Sequence, residues 1–327
     1  MTNQPTSLRS LLAVLLPLTA IPACGSSTAT GDGGGTVDMA GGGSTDGPAA
    51  TGFTTIFTIV LENHDYKEIV GSPNAPYINS LIANYGLATN YKDSLVHPSL
   101  PNYLDMISGD PQYSGGVDVN PNGGAGGVNF PVDMENLGHQ LQKAGFAWRA
   151  YQESMGLPCT LTNNGKYAPK HDPFLYFDNI QNGPDMLCAK TSVDYKQFAA
   201  DLAAGTYRYM FITPNLDNDG HDPFNDPVAG LKQSDTWCSN EIPKILASPS
   251  YQAGGILFLT WDEAEGRNGN SPDQIPMIVI SPKIKSKGFQ SATAFSHASY
   301  LATVEDLFSL PRLGAAAQAK SLAEFFK

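Results

Sequence analysis

Three short apolar runs, far apart in the chain, each end in a cluster of acids, amides and histidine. The runs cover residues 56–61, 209–213 and 256–260, and the clusters after them are Glu62-Asn63-His64, Asn215-Leu216-Asp217-Asn218-Asp219-Gly220-His221-Asp222 and Trp261-Asp262-Glu263. Apolar runs without polar alternation predict strands buried on both faces, as in a parallel sheet covered by helices. In such sheets ligands bind beyond the carboxyl ends of the strands. If these strands are neighbours, their polar clusters meet at one edge of the sheet.

The rest of the chain alternates between helical and strand-like patterns. Helical spacing occurs at 76–85, 136–144, 195–204, 235–246 and 299–307, and strand-like runs occur at 87–96, 146–151 and 274–280. This alternation predicts an α/β domain with a mostly parallel central sheet covered by helices.

The beginning of the chain predicts export. Residues 1–23 contain an apolar stretch that is too short to span a bilayer, as in a secretory signal. Ile21-Pro22-Ala23 before Cys24 resembles the lipobox of bacterial lipoproteins, in which this cysteine is lipidated. Residues 24–52 are rich in Gly, Ser and Thr and predict a flexible tether. We therefore expect one domain over 53–327, held at the cell envelope only through a lipid on Cys24, or secreted without it.

The composition argues against nucleic acid as a partner. The formal net charge is −12, and no stripe of Lys and Arg is available to neutralise a phosphate backbone. A small phosphorylated substrate remains compatible with this charge, because a bound metal reverses the local potential. Nothing in the sequence indicates an oligomeric state.

Cysteine positions predict one disulfide in the domain. Export permits such bonds, and Cys159 and Cys188 flank a loop-rich insert. A bond between them would stabilise the domain by roughly 3.5 kcal/mol in the chain-entropy model. Cys238 lies in a stretch with helical spacing, and we expect it to be a buried free thiol.

Two of the strand ends offer pairs of oxygen ligands. Glu62 and Asn63 follow the first run, and Asp262 and Glu263 follow the third. Crowded acids repel one another unless a cation neutralises them, so these four residues predict one divalent metal ion. Hard oxygen ligands favour calcium, magnesium or manganese, and iron or zinc would fit if a histidine joined them. The alternative is that each pair only caps a helix or lies in a solvated loop.

Ser99 is the candidate nucleophile. It lies in His97-Pro98-Ser99-Leu100-Pro101-Asn102-Tyr103, where the prolines fix the backbone and exclude it from a central strand. We therefore expect this serine to be presented at the surface, not buried. A serine hydroxyl is a weak nucleophile, so a base or a metal must activate it.

Histidines supply the proton-transfer candidates. His221 is flanked by Asp222, which would fix its tautomer, so His221 could protonate a leaving alkoxide and later activate water. The preceding Asp217-Asn218-Asp219-Gly220 also resembles the start of a calcium loop, although the glutamate expected near the end of an EF-hand is missing. Further residues are expected to contact the substrate or the attacked group: His171, His97, His297, Asn102 and Asp222.

Taken in order, these motifs resemble the phosphoesterase family that includes secreted acid phosphatases and phosphatidylcholine-type phospholipases C. The matching segments are Ile59-Val60-Leu61-Glu62-Asn63-His64, residues 97–103, Lys170-His171-Asp172-Pro173-Phe174, Asn218-Asp219-Gly220-His221-Asp222 and Trp261-Asp262-Glu263. The resemblance implies an alkaline-phosphatase-like fold, metal ligation by Glu62, Asn63, Asp262 and Glu263, and a phosphoserine at Ser99. It also implies that His171 and His221 bind phosphate or transfer protons.

The sequence favours the shorter, acid-phosphatase-like branch of this family. It has His64-Asp65-Tyr66 where the phospholipases carry a different run, and it lacks their long C-terminal extensions. We expect a phosphomonoesterase whose specificity depends on the loops 109–127 and 155–190. The alternative within enzymes is a phospholipase C or another phosphodiesterase. The alternative of another class is a surface binding lipoprotein stabilised by calcium, which would never hydrolyse a phosphoester.

Overall fold

The computed structural model describes residues 52–112, 117–125, 127–221, 226–266 and 273–327. The predicted signal, Cys24, all but the last residue of the predicted tether, and Asp222 lie outside the described residues. Within them, no helix is both long and apolar enough to cross a bilayer.

Strands and helices alternate along most of the chain. The strands are β1 Ile56–Leu61, β2 Gly86–Lys92, β3 Gly124–Ala125, β4 Val128–Asn129, β5 Trp148–Gln152, β6 Ser192–Asp194, β7 Tyr209–Thr213, β8 Ile256–Trp261, β9 Gln274–Ile280, β10 Phe289–Ser291 and β11 Phe295–Ser296. The helices are α1 Tyr66–Ile69, α2 Pro76–Asn84, α3 Ser99–Ser108, α4 Leu137–Lys143, α5 Asp178–Gln181, α6 Leu187–Thr191, α7 Phe198–Ala204, α8 Pro227–Leu246, α9 Pro249–Gln252 and α10 His297–Phe308.

One large sheet organises the part of the chain that the structure describes. Its nine strands run in the order β10-β2-β9-β8-β1-β7-β5-β6, and β11 also pairs with β2. Neighbouring strands are parallel, except that β9 is antiparallel to β2 and β8. The predicted α/β fold with a mostly parallel central sheet is confirmed.

The three apolar runs of the sequence are the three central neighbours β7, β1 and β8. Every residue in these strands is buried, which explains why their sequences show no polar alternation. Leu61 pairs with Trp261 at the carboxyl ends of β1 and β8. The next residues, Glu62 and Asp262, therefore leave the sheet side by side, as predicted.

Some element boundaries and one strand direction differ from expectation. The predicted helix over 195–204 begins with a 3₁₀ turn, Tyr195–Gln197, before α7. Helix α8 begins eight residues before the predicted 235, since the Asp226 side chain caps it by accepting from Val228 N and Ala229 N. The antiparallel direction of β9 was not predicted.

Both cysteine predictions are confirmed. Cys159 and Cys188 form a disulfide with their Cα atoms 5.4 Å apart, and Cys238 is a buried free thiol. The disulfide closes the insert between β5 and β6. It therefore restrains the loop that carries Lys170 and His171.

Helix α3 is enclosed by the rest of the domain. All of its residues are buried, and it packs against α10. This enclosure extends to Asp105, for which burial, and secondarily the nearby Asp110, raises the pKa from 3.8 to about 7. The folded protein thus holds a proton on Asp105 between pH 4 and 7 that the unfolded chain releases.

We predict that Asp105→Asn stabilises the protein in alkaline but not in acidic solution. Because the pKa is raised on folding, the wild type loses stability as the pH rises from about 4 to 7, and the amide variant does not. The free energy of unfolding at pH 8 should rise by on the order of 2–4 kcal/mol, with little difference at pH 4. Denaturant titrations at both pH values measure this, with exposed Asp133→Asn as the control. An equal effect at both pH values would contradict the ionisation argument.

Candidate active site

Ser99 is the first residue of α3, and its position corrects the sequence-based expectation. Its residue surface is only 2% exposed, so the prediction that the flanking prolines would leave it exposed at the surface is wrong. Pro98 is the N-cap of the helix. The prolines therefore start a buried helix whose first residue faces the end of β1. There the Ser99 hydroxyl donates a hydrogen bond to Glu62 Oε2 at 2.9 Å.

Three carboxyl groups lie buried at this edge of the sheet. Glu62, Asp262 and Glu263 are 1%, 0% and 2% exposed, which is rare for acidic side chains that lack compensating charge. Asn63 connects two of them: its backbone N–H donates to Asp262 Oδ1 at 3.2 Å and its amide to Glu263 Oε1 at 3.0 Å. The four predicted oxygen ligands are thus grouped in one place.

Apart from Glu62 Oε1, which pairs with His171, two buried oxygens of this group have no hydrogen-bond donor within the described chain. They are Asn63 Oδ1 and Asp262 Oδ2. A buried acceptor without a donor costs roughly 1–3 kcal/mol, and nearly all such atoms in folded proteins have a partner. A divalent cation would satisfy both oxygens, so the residues present fit a metal site.

The pKa shifts of the three acids also support a metal site. Burial, and then the charges of Glu62 and Glu263, holds the pKa of Asp262 well above its usual range. Burial likewise raises the pKa of Glu263 to about 8, against the opposing effect of His97. Burial also disfavours the Glu62 carboxylate, but His171 and Lys170 outweigh it and lower the pKa of Glu62 to about 2. The positively charged side chains nearby therefore neutralise only part of this acidic group. Asp262 is the acid that they stabilise least in its ionised form.

Lys170 and His171 bring positive groups to Glu62 from the insert. Both belong to the 3₁₀ turn Pro169–His171. His171 Nε2 lies 3.1 Å from Glu62 Oε1, and its ring stacks on Tyr103 with the centroids 5.3 Å apart. Lys170 Nζ lies 3.5 Å from Ser99 Oγ.

Lys170 was not predicted from the sequence as a functional residue. Its adjacency to His171 in a family-like motif was the available signal. Nζ also donates to Asp118 Oδ2 at 2.7 Å. Burial alone would lower the pKa of Lys170, but the charges of Glu62 and Asp118 raise it well above the usual value. Lys170 therefore remains a cation and cannot act as a base.

Two residues predicted to contact the substrate, His97 and Asn102, contact Glu263 of the acidic group. His97 Nδ1 is 3.1 Å from Glu263 Oε2, and Nε2 is 3.3 Å from Asp93 Oδ2. The Asn102 amide donates to the same Glu263 oxygen at 2.9 Å. Both oxygens of Glu263 thus contact protein groups, and this geometry suits positioning of the carboxylate.

His297, a third predicted substrate contact, is fully buried. Burial lowers the pKa of His297 and favours the neutral ring. Nε2 donates to the Asp262 carbonyl at 2.6 Å, and the Tyr91 hydroxyl lies 3.0 Å from Nδ1. Both ring nitrogens have polar partners, so in this structure the imidazole holds the backbone of Asp262 in place.

His221 occupies the turn after β7. Its backbone N–H donates to Asp219 Oδ1 at 3.1 Å, and Asp219 O accepts from Glu62 N at 2.9 Å. Gly220 has a φ of +109°, which an L side chain rarely adopts. Among the described contacts, none joins the His221 ring to Ser99, so its proton-transfer role remains a prediction, as do the roles assigned to the other site residues.

A second group of potential ligands lies next to the first. Asp93, His97 and Asp273 each offer one atom, and these atoms lie within 4.8 Å of one another. Asp93 Oδ1 already accepts from Leu95 N at 3.1 Å and Asp273 N at 2.9 Å, and His97 bridges to Glu263. These bonds indicate that Asp93, His97 and Asp273 position the residues of the first group. We therefore do not assign a second metal to these three residues.

Comparisons with known proteins identify the family and the fold of this chain. The sequence model of the phosphoesterase family matches residues 72–311. The chain is 30% identical to a phosphatidylinositol-3-phosphatase of Mycobacterium tuberculosis, over 84% of this chain and 83% of that protein. It is also 30% identical to a probable acid phosphatase of Kluyveromyces lactis, over 80% of this chain. The match spans about 60% of that longer relative.

The fold also matches a solved structure at low sequence identity. A protein in the alkaline phosphatase superfamily from Vibrio parahaemolyticus aligns with a TM-score of 0.54 and 11% identity, over 85% of this chain and 73% of that one. At this identity the match concerns the fold alone. It agrees with the mostly parallel sheet covered by helices.

Proposed function

Since the chain belongs to the phosphoesterase family and is a phosphoric ester hydrolase, we propose that it is a metal-dependent, acid-phosphatase-like phosphomonoesterase with Ser99 as its nucleophile. The observation that carries the proposal is the hydrogen bond of 2.9 Å from the Ser99 hydroxyl to Glu62, inside a group of buried acids with unsatisfied oxygens. A binding protein stabilised by calcium would need the acids but not this serine.

Glu62, Asn63, Asp262 and Glu263 are the residues that would hold the metal. When bound, one divalent cation supplies Lewis-acid polarisation of a phosphoryl oxygen and lowers the pKa of the Ser99 hydroxyl. Glu62 accepts the hydrogen bond of the hydroxyl and so directs an oxygen lone pair of Ser99 toward the phosphorus. The low pKa of Glu62 suits orientation better than proton uptake.

Lys170 supplies the fixed positive charge of the reaction. Its position 3.5 Å from Ser99 Oγ supports contact with a phosphoryl oxygen as charge builds in the transition state. Ser99 reacts once its hydroxyl proton has passed to solvent; its oxygen then attacks phosphorus, forms a phosphoserine and breaks the bond from phosphorus to the leaving oxygen. His221 would protonate the leaving oxygen, and His171 would hold Glu62 and the phosphate. Water then hydrolyses the phosphoserine.

We further propose that the protein is exported and held by a lipid on Cys24. The support is the apolar segment and the Ile21-Pro22-Ala23-Cys24 run, together with a disulfide in the domain. Secretion without the lipid is the alternative.

We predict that Ser99→Ala abolishes phosphate release from p-nitrophenyl phosphate while leaving the fold intact. The wild type should hydrolyse this monoester faster than p-nitrophenyl phosphocholine, a diester. Release of p-nitrophenol measures both rates, because cleavage of the diester frees phosphocholine and no inorganic phosphate, and the thermal midpoint checks the fold. Ser80→Ala, which removes an exposed serine of α2, is the control. Turnover like that of the wild type in Ser99→Ala would refute the nucleophile, and faster diester cleavage would favour a phospholipase C.

We predict that metal removal lowers both activity and thermal stability. Chelation removes the charge that would compensate buried Asp262 and Glu263, so adding back Mg²⁺, Mn²⁺ or Ca²⁺ should raise the thermal midpoint. A ligand at 100 times its Kd contributes about 2.7 kcal/mol. Asp262→Asn should gain much less from the metal, and Asp133→Asn should gain as much as the wild type. Full activity in chelated protein, with no shift on adding metal, would contradict the proposal.

We predict that Lys170→Met lowers kcat for p-nitrophenyl phosphate by about 100-fold, because removing one group that stabilises transition-state charge has effects of this order. Lys170→Arg should restore part of the activity. Lys143→Met breaks a surface pair with Glu135 at 2.9 Å and is the matched control. An unchanged kcat in Lys170→Met would exclude contact between Lys170 and the reacting phosphate.

A further inference from the structure

A cleft opens beside the nucleophile on the side of Lys170. It has a volume of about 470 Å³, and its lining includes Asp118, Asn120, Asn163, Tyr167, Lys170 and Leu216. This volume lies within the range of small-molecule sites. A larger cavity of about 610 Å³ lies along α7 and α8 and shares no residue with the candidate active site. Only the smaller cleft is connected to Ser99, through Lys170.

Hydrogen bonds fix the walls of this cleft. The Tyr167 hydroxyl donates to Thr160 O at 2.9 Å, and this buried tyrosine holds the wall of the cleft in place. Leu216 N donates to Lys166 O at 3.0 Å and joins the turn after β7 to the insert. On the other side, the Tyr176 hydroxyl donates to Val119 O at 2.6 Å. The cleft is therefore preformed between the loops 109–127 and 155–190, which we expect from the sequence to determine specificity.

Among the described residues that line it, the cleft offers no unpaired charge for a second anionic group. Lys170 and Asp118 are its charged lining residues, and they pair with each other at 2.7 Å. Nearby Lys166 pairs with Asp217 at 2.8 Å. A leaving group with its own phosphate would therefore enter without a cation to receive it.

Two side-chain amides are available to a ligand. Those of Asn120 and Asn163 form no hydrogen bond to the described part of the chain, and both residues are exposed at the cleft. An amide offers donors and an acceptor and so matches a hydroxyl, which is both. Leu216 and Val119, both partly exposed in the lining of the cleft, provide apolar surface for the carbon face of a cyclic polyol.

We propose that this cleft receives the leaving group of the substrate, and that this group is an uncharged polyol such as a sugar, cyclitol or glycerol moiety. The proposal rests on the proposed function, since Lys170 must contact the phosphate for the ester to extend into the cleft. It adds a substrate class: phosphomonoesters of polyols, preferred over esters whose leaving group carries further phosphate.

The test compares glucose 6-phosphate, phenyl phosphate and fructose 1,6-bisphosphate as substrates. We expect Asn120→Ala and Asn163→Ala each to lower kcat/KM for glucose 6-phosphate by about three- to tenfold, the effect of one lost hydrogen bond. Phenyl phosphate should change less than twofold. Asn163→Lys should raise kcat/KM for fructose 1,6-bisphosphate relative to glucose 6-phosphate. Asn182→Ala, at an exposed position of the insert, is the control.

The outcomes separate this inference from the proposed function. If the wild type releases phosphate from none of the three esters, the phosphomonoesterase assignment itself fails. If it hydrolyses phenyl phosphate but the asparagine variants leave the ratio of the substrates unchanged, only the cleft assignment is overturned. A fall of equal size for glucose 6-phosphate and phenyl phosphate would also overturn it, because it would indicate general damage to the site.

Discussion

The parallel pairing of β1 with β8 is the constraint on which the site depends. Because Leu61 and Trp261 pair at the last position of the two strands, the next residues, Glu62 and Asp262, are forced into neighbouring buried positions. A one-residue slip of either strand would direct its side chains to the opposite face of the sheet. The register of this strand pair therefore sets the spacing of the acids that follow it.

The fold then distributes positive groups unevenly among these acids. Lys170 and His171 approach Glu62, and their combined effect exceeds the cost of burial, so the pKa of Glu62 is low. Glu263 has His97 alone, and its pKa remains high. For Asp262, burial and two neighbouring acids outweigh the distant Lys170. Glu62, beside the serine, thus stays ionised. Asp262 and Glu263, where a metal would bind, have too few positive groups around them.

The sequence allowed prediction of what depends on local pattern and chain order. Unbroken apolar runs predicted the central strands, and the polar residues after them predicted the carboxylate group. Sequence pattern could not predict depth: the prolines around Ser99 indicated an irregular backbone, but the burial of α3 depends on packing against α10, which is distant in the chain. The positions of His297 beneath Asp262 and of Lys170 beside Ser99 are likewise tertiary. A lysine in a loop is usually solvated, and this one is distinguished by its contacts with Ser99 and Asp118.

The same contact bears on how an anion is held at the nucleophile. Ser99 begins α3, and free amides at the start of a helix attract anions. Here, however, Asp118 Oδ1 accepts from Leu100 N at 3.1 Å, so a carboxylate already occupies one of these amides and opposes a phosphate there. Its other oxygen holds Lys170 at 2.7 Å. Asp118 therefore offsets the partial positive charge at the helix N-terminus. It also holds the full positive charge of Lys170 in a fixed position near Ser99. Under the proposed function, attraction of a phosphate to Ser99 would come from the lysine and the metal, and a substrate would extend from there into the cleft beside Lys170.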